Sequence, residues 1–429
     1  MLKYNQENKP SAFGEKDGNV MFNIAAAQSG GPTAAINASL AGIFRRALKC
    51  PEIGRIYGSI NGIEGMIQGD LVPLDSILTS EHDVELLKKT PSTVLGSCRY
   101  KLAEYDPEDS RTEAEYMKII KTFEEYDIKA FFYIGGNDSM DTVMKLDRYC
   151  KAVGKDIKII GVPKTIDNDL PMTDHTPGFG SAAKYVATTL QEIIRDSRVY
   201  SIQSITIVEI MGRNAGWLTA SSCVLRANGE PAPHLIYVPE AFPNGFDMER
   251  FLDDVARMMR RYRAVIIAVS EGIVPTDRQY VKIGADAFGH TDNSGVAKYL
   301  EHRCADRFGC KVRSIELNVM QRCSSHIASL TDLDEAERIG SAAVDCALSG
   351  SSGRMMGYRR ISNEPYRIEI VSFDVAEAAN KEKYFPAEWI TDDKCDVTTD
   401  ALNYFLPLIQ GEVTTEYRNG IPVHFRLNQ

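Results

Sequence analysis

The sequence predicts an α/β protein of two lobes, each built on a mostly parallel sheet. Two observations carry this. Short apolar runs of strand length alternate with longer helix-like stretches along most of the chain, the order that builds parallel sheets. In addition, 429 residues are more than one compact core ordinarily organises.

The run 20–27 reads as a buried strand, broken by Gln28-Ser29-Gly30-Gly31-Pro32-Thr33, with a helix over 34–48 after it. The order recurs at 130–134, which Gly135-Gly136-Asn137-Asp138-Ser139 stops, and a helix follows to about Cys150. A third run, 157–162, ends at Pro163-Lys164-Thr165. A second set lies downstream: 204–210 leads into Met211-Gly212-Arg213, 235–238 into Pro239-Glu240, and 264–269 into Ser270-Glu271-Gly272. Thr331 as N-cap, Asp334 three residues on and Gly350 as a stop predict a helix over 332–349. The implied division is a polar leader over 1–19 and a first lobe over 20–178 completed by about 321–357. A second lobe covers 179–320, and 358–429 form a C-terminal extension of unassigned role.

Composition narrows the function classes. Hydrophobic residues at 44% and charged residues at 25% are ordinary for a globular chain. A net charge of −10 leaves no excess of cations for a nucleic-acid backbone, although a small phosphate ligand needs only a few local cations and amides. No run approaches the roughly 20 apolar residues of a membrane span. The polar start lacks a signal-peptide core. Nine scattered cysteines with no C-x-x-C pair read as reduced thiols, which predicts the cytoplasm.

The chemistry concentrates where strands end. Ser29-Gly30-Gly31 is either a tight βα turn or a place where the backbone approaches a phosphate at a helix start. Gly135-Gly136-Asn137-Asp138-Ser139 has the same placement, and Asn137 and Asp138 offer oxygens to Mg²⁺ or to a helix cap. The strongest segment is Lys164-Thr165-Ile166-Asp167-Asn168-Asp169, with a lysine, a hydroxyl and two carboxylates directly after an apolar run. Phosphoryl transfer to an alcohol needs a base for the attacking hydroxyl and a cation for the developing phosphate charge. Arg99 and Arg213, each near glycine, are either phosphate forks or surface charges. Neither a G-x-x-x-x-G-K-[ST] loop nor a protein-kinase signature is present.

Taken in this order, from about Ile24 to Gly357, the pieces resemble the 6-phosphofructokinase family. The resemblance implies two Rossmann-like three-layer lobes with the active site in the cleft between them, the first lobe binding the donor and the second the sugar phosphate. It makes Asp167 the base that takes the proton of the sugar's 1-hydroxyl, with Thr165 and Asp169 beside it. Gly30, Gly31 and Arg99 match donor contacts. Met211, Gly212, Arg213, Glu271, Arg313, Val319, Gln321 and Arg322 match the sugar-phosphate site, and Asn137 the metal position.

Two positions point to the donor. ATP-using members carry Gly-Gly-Asp-Gly-Ser and Pro-Gly-Thr where this chain has Asp138 and Lys164. An aspartate adds bulk and negative charge where a nucleotide α-phosphate would lie, and the lysine suits a compact, highly charged donor. Both changes are those of the diphosphate-dependent branch. The expectation is Mg²⁺-dependent, reversible transfer from inorganic diphosphate to fructose 6-phosphate by a homodimer or homotetramer. The alternatives are an ATP-dependent enzyme, sedoheptulose 7-phosphate as acceptor, or a non-catalytic sugar-phosphate-binding subunit. Departures from the pattern are Asn137 for aspartate, Val319 for histidine or tyrosine, Cys323-Ser324 for Gly-Gly after Gln321-Arg322, and Ser204 for an arginine that reaches a neighbouring subunit's site.

Overall fold

The computed structural model describes residues 21–276 and 295–427, so the expected leader lies outside the described residues. In chain order its main strands are β1 (Phe22–Gln28), β2 (Ile53–Ser59), β3 (Leu71–Pro73), β4 (Ile128–Gly135), β5 (Lys158–Pro163), β6 (Ser204–Ile210), β7 (Leu235–Tyr237), β8 (Ala264–Ser270), β9 (Lys311–Glu316), β10 (Arg354–Asn363) and β11 (Tyr366–Asp374). They form a seven-stranded sheet, β11-β10-β5-β4-β1-β2-β3, and a four-stranded sheet, β7-β8-β6-β9. The first is parallel from β2 to β10, with antiparallel edges at β3 and β11. The second is parallel throughout. Every residue of β6 and β8 is buried, as expected of parallel strands covered on both faces, including Ser204, Thr206 and Glu209 within the otherwise apolar β6.

The winding reverses at β1, which pairs with β2 on one side and β4 on the other. The crevice beyond the carboxyl ends of β1 and β4 is therefore the topological switch point where α/β sheets bind ligands. Behind it, the helices Ile36–Leu48 and Leu330–Leu348 pack at very short range. A Cβ on Gly42 would collide with the Glu337 carbonyl, and one on Gly340 with that of Ser39.

The second of those helices begins earlier than expected. Ser329, not Thr331, is its N-cap, accepting the Asp332 N–H. The Asp332 carboxylate in turn accepts the amides of Gly178 and Ser181, both at 2.9 Å, at the start of helix Phe179–Ser197. Asp334 instead pairs with Lys88 at 2.7 Å. The C-terminal extension divides itself between the lobes. β10 and β11 complete the first sheet, whereas Phe385, Val397, Ala401, Tyr404, Phe405 and Leu408 fill the second lobe's core around Trp217. Phe425 and Leu427 return to the first lobe. Among the described residues, no helix is long and apolar enough to cross a membrane.

Candidate active site

Sheet register brings three polar turns side by side. Ser29 N–H bonds the Ile134 carbonyl at 2.9 Å, and Lys164 N–H bonds the Gly135 carbonyl at 2.9 Å, so the turns after β1, β4 and β5 run together. Gly30 takes φ +75°, a conformation that favours glycine. The Lys164 side chain, 2% exposed, lies under this turn and its Nζ donates to the Gly31 carbonyl at 2.5 Å. A Cβ on Gly31 would stand 3.2 Å from Arg322 Nη1, so Arg322 reaches the same turn from across the cleft. Ser97 donates to the Gly30 carbonyl at 2.8 Å and sets the Arg99 loop beside it, with Arg99 itself exposed. That loop is held by two buried amides. Gln28 Oε1 accepts the Leu95 N–H, and Asn37 donates to the carbonyls of Thr90 and Ser92.

The 165–169 loop is tied at its start. Thr165 N–H bonds the Pro177 carbonyl, the Thr176 hydroxyl donates to the Thr165 carbonyl at 2.7 Å, and Asp167 N–H bonds Thr165 Oγ1 at 3.1 Å. Around Asp167 gather charges from both lobes: Glu271, Arg213, Lys164 and Arg322. Burial, followed by Glu271, raises the Asp167 carboxyl well above its usual range against the pull of the three cations. Burial and then Asp167 do the same to Asp169. Desolvation lowers the Lys164 ammonium to about 7, opposed by Asp167 and Asp169.

The opposite side of the cleft rests on β6, β8 and β9. Glu271 N–H bonds the Ile210 carbonyl at 2.9 Å, placing Glu271 beside Met211-Gly212-Arg213, and its Oε1 accepts the Gly212 N–H at 3.3 Å. Buried Gln321 accepts the Met211 N–H at 3.2 Å and donates to the Asn318 carbonyl at 3.0 Å. These bonds bring Met211, Gly212, Arg213, Glu271, Gln321 and Arg322 to one mouth facing Asp167. Val319 sits at this mouth with half its surface exposed.

Arg313 does not join them. It lies mid-strand opposite Thr206 and its guanidinium pairs with Asp196 at 3.0 Å, at the far end of helix Phe179–Ser197. Ser204, at the first position of β6, is buried and equally remote from the strand's carboxyl end.

Asn137 is also more engaged than the metal expectation assumed. Its Oδ1 accepts the Asn380 N–H at 2.8 Å and its Nδ2 donates to the Lys381 carbonyl at 2.5 Å. Its neighbour Asp138 is exposed at the N-terminus of helix Asn137–Ala152. One exposed carboxylate plus an amide oxygen with one acceptance left could supply part of the oxygen shell of a hard divalent cation. Residues that the sequence reading missed are Asn168, Lys383 and Tyr404, which prop the loop from behind. The signal available in the sequence was an asparagine, a residue that tolerates a left-handed backbone, between two carboxylates; the structure places Asn168 at φ +55°.

Fold and site together define an α/β phosphotransferase with a polar, charged cleft between two mostly parallel sheets. Residues 23–347 match the model of the phosphofructokinase family, and the chain belongs to that family. It is 39% identical over 410 residues to a pyrophosphate–fructose 6-phosphate 1-phosphotransferase of Methylococcus capsulatus, covering 94% of this chain and 96% of the relative. To the enzyme of the same name from Halomonas elongata it is 38% identical over 406 residues, 93% of this chain and 94% of the relative. The crystal structure of a pyrophosphate-dependent phosphofructokinase from Marinobacter aquaeolei superposes with a TM-score of 0.83 at 37% identity, covering 95% of this chain and 96% of that one.

Proposed function

We propose that this chain transfers a phosphoryl group from inorganic diphosphate to the 1-hydroxyl of fructose 6-phosphate, giving fructose 1,6-bisphosphate and phosphate. The observation that carries this reading is Lys164, buried under the Gly30-Gly31 turn and sharing one field of charge with Asp167. A compact polyanion on that turn would compensate the hydration that burial takes from the Lys164 ammonium. Lys164 and Arg322 then face the phosphoryl group as its charge develops. Asp138 occupies with a carboxylate the space a nucleotide would need. Asp167, made more basic by burial and Glu271, takes the acceptor's proton. Asn137 and Asp138 would hold Mg²⁺, which would supply charge neutralisation to the donor oxygens. Because the diphosphate anhydride is exchanged for a phosphate ester and free phosphate, with no nucleotide consumed, the reaction on this reading runs in either direction.

Arg213 and Arg322 serve the acceptor within the chain. We assign Arg313, which points away from its own cleft, to a homodimer or homotetramer contact instead. The nine unpaired cysteines suit the cytoplasm. The test is turnover with fructose 6-phosphate and Mg²⁺ against diphosphate and ATP in parallel, repeated with sedoheptulose 7-phosphate. Strong ATP use with none from diphosphate refutes the donor. Asp167→Ser is expected to cut kcat by about 10²–10⁴-fold with sugar-phosphate binding retained, as for loss of a general base. Unchanged kcat refutes the mechanism.

A further inference from the structure

Residues 380–385 cross the cleft and touch all three parts of the site. On the donor side, Asn380 N–H bonds Asn137 Oδ1 and its side chain bonds Asp141 Oδ1, each at 2.8 Å. On the acceptor side, Glu382 accepts from Asn214 Nδ2 at 2.7 Å, and Phe385 N–H bonds Glu240 Oε1 at 2.8 Å. The Lys383 carbonyl accepts Trp217 Nε1–H at 3.0 Å. Between these anchors, Lys383 N–H bonds the Asp169 carbonyl at 2.7 Å.

The Lys383 side chain turns inward beneath the catalytic loop. Its ammonium donates to Asn168 Oδ1 at 3.2 Å, to the Thr173 carbonyl at 3.0 Å and to the Asp174 carbonyl at 2.8 Å. An ammonium has three hydrogens, and these three acceptors use them all, so none is left for a substrate. Asn168 is gripped from its other end as well, donating to the Tyr404 hydroxyl at 3.0 Å, which itself donates to the Asp174 carbonyl at 2.6 Å. Asn168 needs that grip. It is fully buried, holds a left-handed backbone conformation, and lies between Asp167 and Asp169. A change in its φ would swing both carboxylates.

We propose that Lys383 is a positioning residue for phosphoryl transfer: by locking Asn168 from both its side chain and the neighbouring backbone, it holds Asp167 where it can take the acceptor's proton. The inference rests on the reading of Asp167 as the base. It also gives the C-terminal extension a task at the site, since the same strap grips the donor turn through Asn137 and the acceptor lobe through Asn214 and Glu240.

The test is Lys383→Met in the full chain, with kcat from steady-state turnover and the dissociation constant of fructose 6-phosphate from calorimetry without donor. A displacement of about 1 Å at a reacting group costs on the order of 10²-fold. The expected result is a kcat loss of that size with acceptor binding within about twofold of the parent. A positioning residue acting through Asn168 also predicts that Asn168→Gly gives a similar loss and that the double variant loses little more than either single one.

An unchanged kcat, losses that multiply in the double variant, or acceptor binding weakened by the same factor as kcat would each overturn the proposal. If Lys383→Met does not fold, Asn168→Gly alone decides, because full kcat in a stably folded Asn168→Gly chain contradicts it. Asp167→Ser run alongside separates the two levels. A harmless Asp167→Ser removes the base itself, whereas a crippled Asp167→Ser beside a normal Lys383→Met removes only the positioning role.

Discussion

Replacing Lys164 by methionine is expected to stabilise the unliganded protein while abolishing most of its turnover. The ammonium is buried and its pKa falls from 10.5 to about 7, a difference worth about 5 kcal/mol. In the unfolded chain the lysine holds its proton up to about pH 10.5. Between about pH 7 and 10.5 the unfolded state therefore binds more protons, and stability rises with pH across that window. At or below pH 7 nearly the full cost is felt. Methionine fills similar space without charge, but it forfeits the bond to the Gly31 carbonyl, worth about 1–2 kcal/mol when the orphaned oxygen is included. About 3 kcal/mol of net stabilisation remains at pH 6. Scanning calorimetry without ligands at pH 6, 8 and 10 checks this, with the variant's Tm higher by several degrees at pH 6 and the difference fading by pH 10. A variant less stable at pH 6, or an advantage independent of pH, refutes the reasoning.

Other expectations follow from the same geometry. Asp138→Gly combined with Lys164→Gly removes the carboxylate and the ammonium that suit a compact donor. Diphosphate turnover should then fall by orders of magnitude while ATP use rises above background, and no rise at all contradicts the steric argument. Gly340→Ala drives a methyl into the Ser39 carbonyl and should cost about 1–3 kcal/mol of stability, seen as a lower denaturation midpoint with kcat unaltered. His175 bonds Asp174 at 2.8 Å and Glu335 at 2.7 Å. Burial alone would lower its pKa, but the two carboxylates prevail and raise it. Its stabilising contribution is complete below about pH 6.5 and is lost as pH climbs through the raised folded value. Against His175→Gln, the parent's stability advantage should accordingly be larger at pH 6 than at pH 9.

Much of the candidate site was legible in the sequence because parallel sheets put their chemistry in the few residues after each strand. Gly30, Asn137, Lys164, Arg213 and Glu271 all occupy such places, and each announces itself as a polar or glycine residue after an apolar run. Arg313 escaped because its destination depends on the strand's pleat and a helix end more than a hundred residues away. Ser329 and Thr331 are both hydroxyl residues with an aspartate three positions on, so the local pattern is degenerate. The Gly178 and Ser181 amides, which engage Asp332, favour the earlier start. Lys383 had no local signal whatever. Its meaning lies in acceptors about 210 residues distant, which only the folded chain brings within reach.

The strand order also bears on how such a chain is made. β10 joins the first sheet only after β6 to β9 have been laid down, and residues around Phe385 and Phe405 then close the second lobe's core. As the polypeptide leaves a ribosome, β5 waits as an unpaired edge through the synthesis of the whole second lobe, and that lobe waits with one apolar face uncovered. Each lobe is thus finished by chain that arrives after the other has begun. No single cut between them yields two self-sufficient halves, and the long-exposed β5 edge is where a stalled or truncated nascent chain would meet a chaperone or another copy of itself.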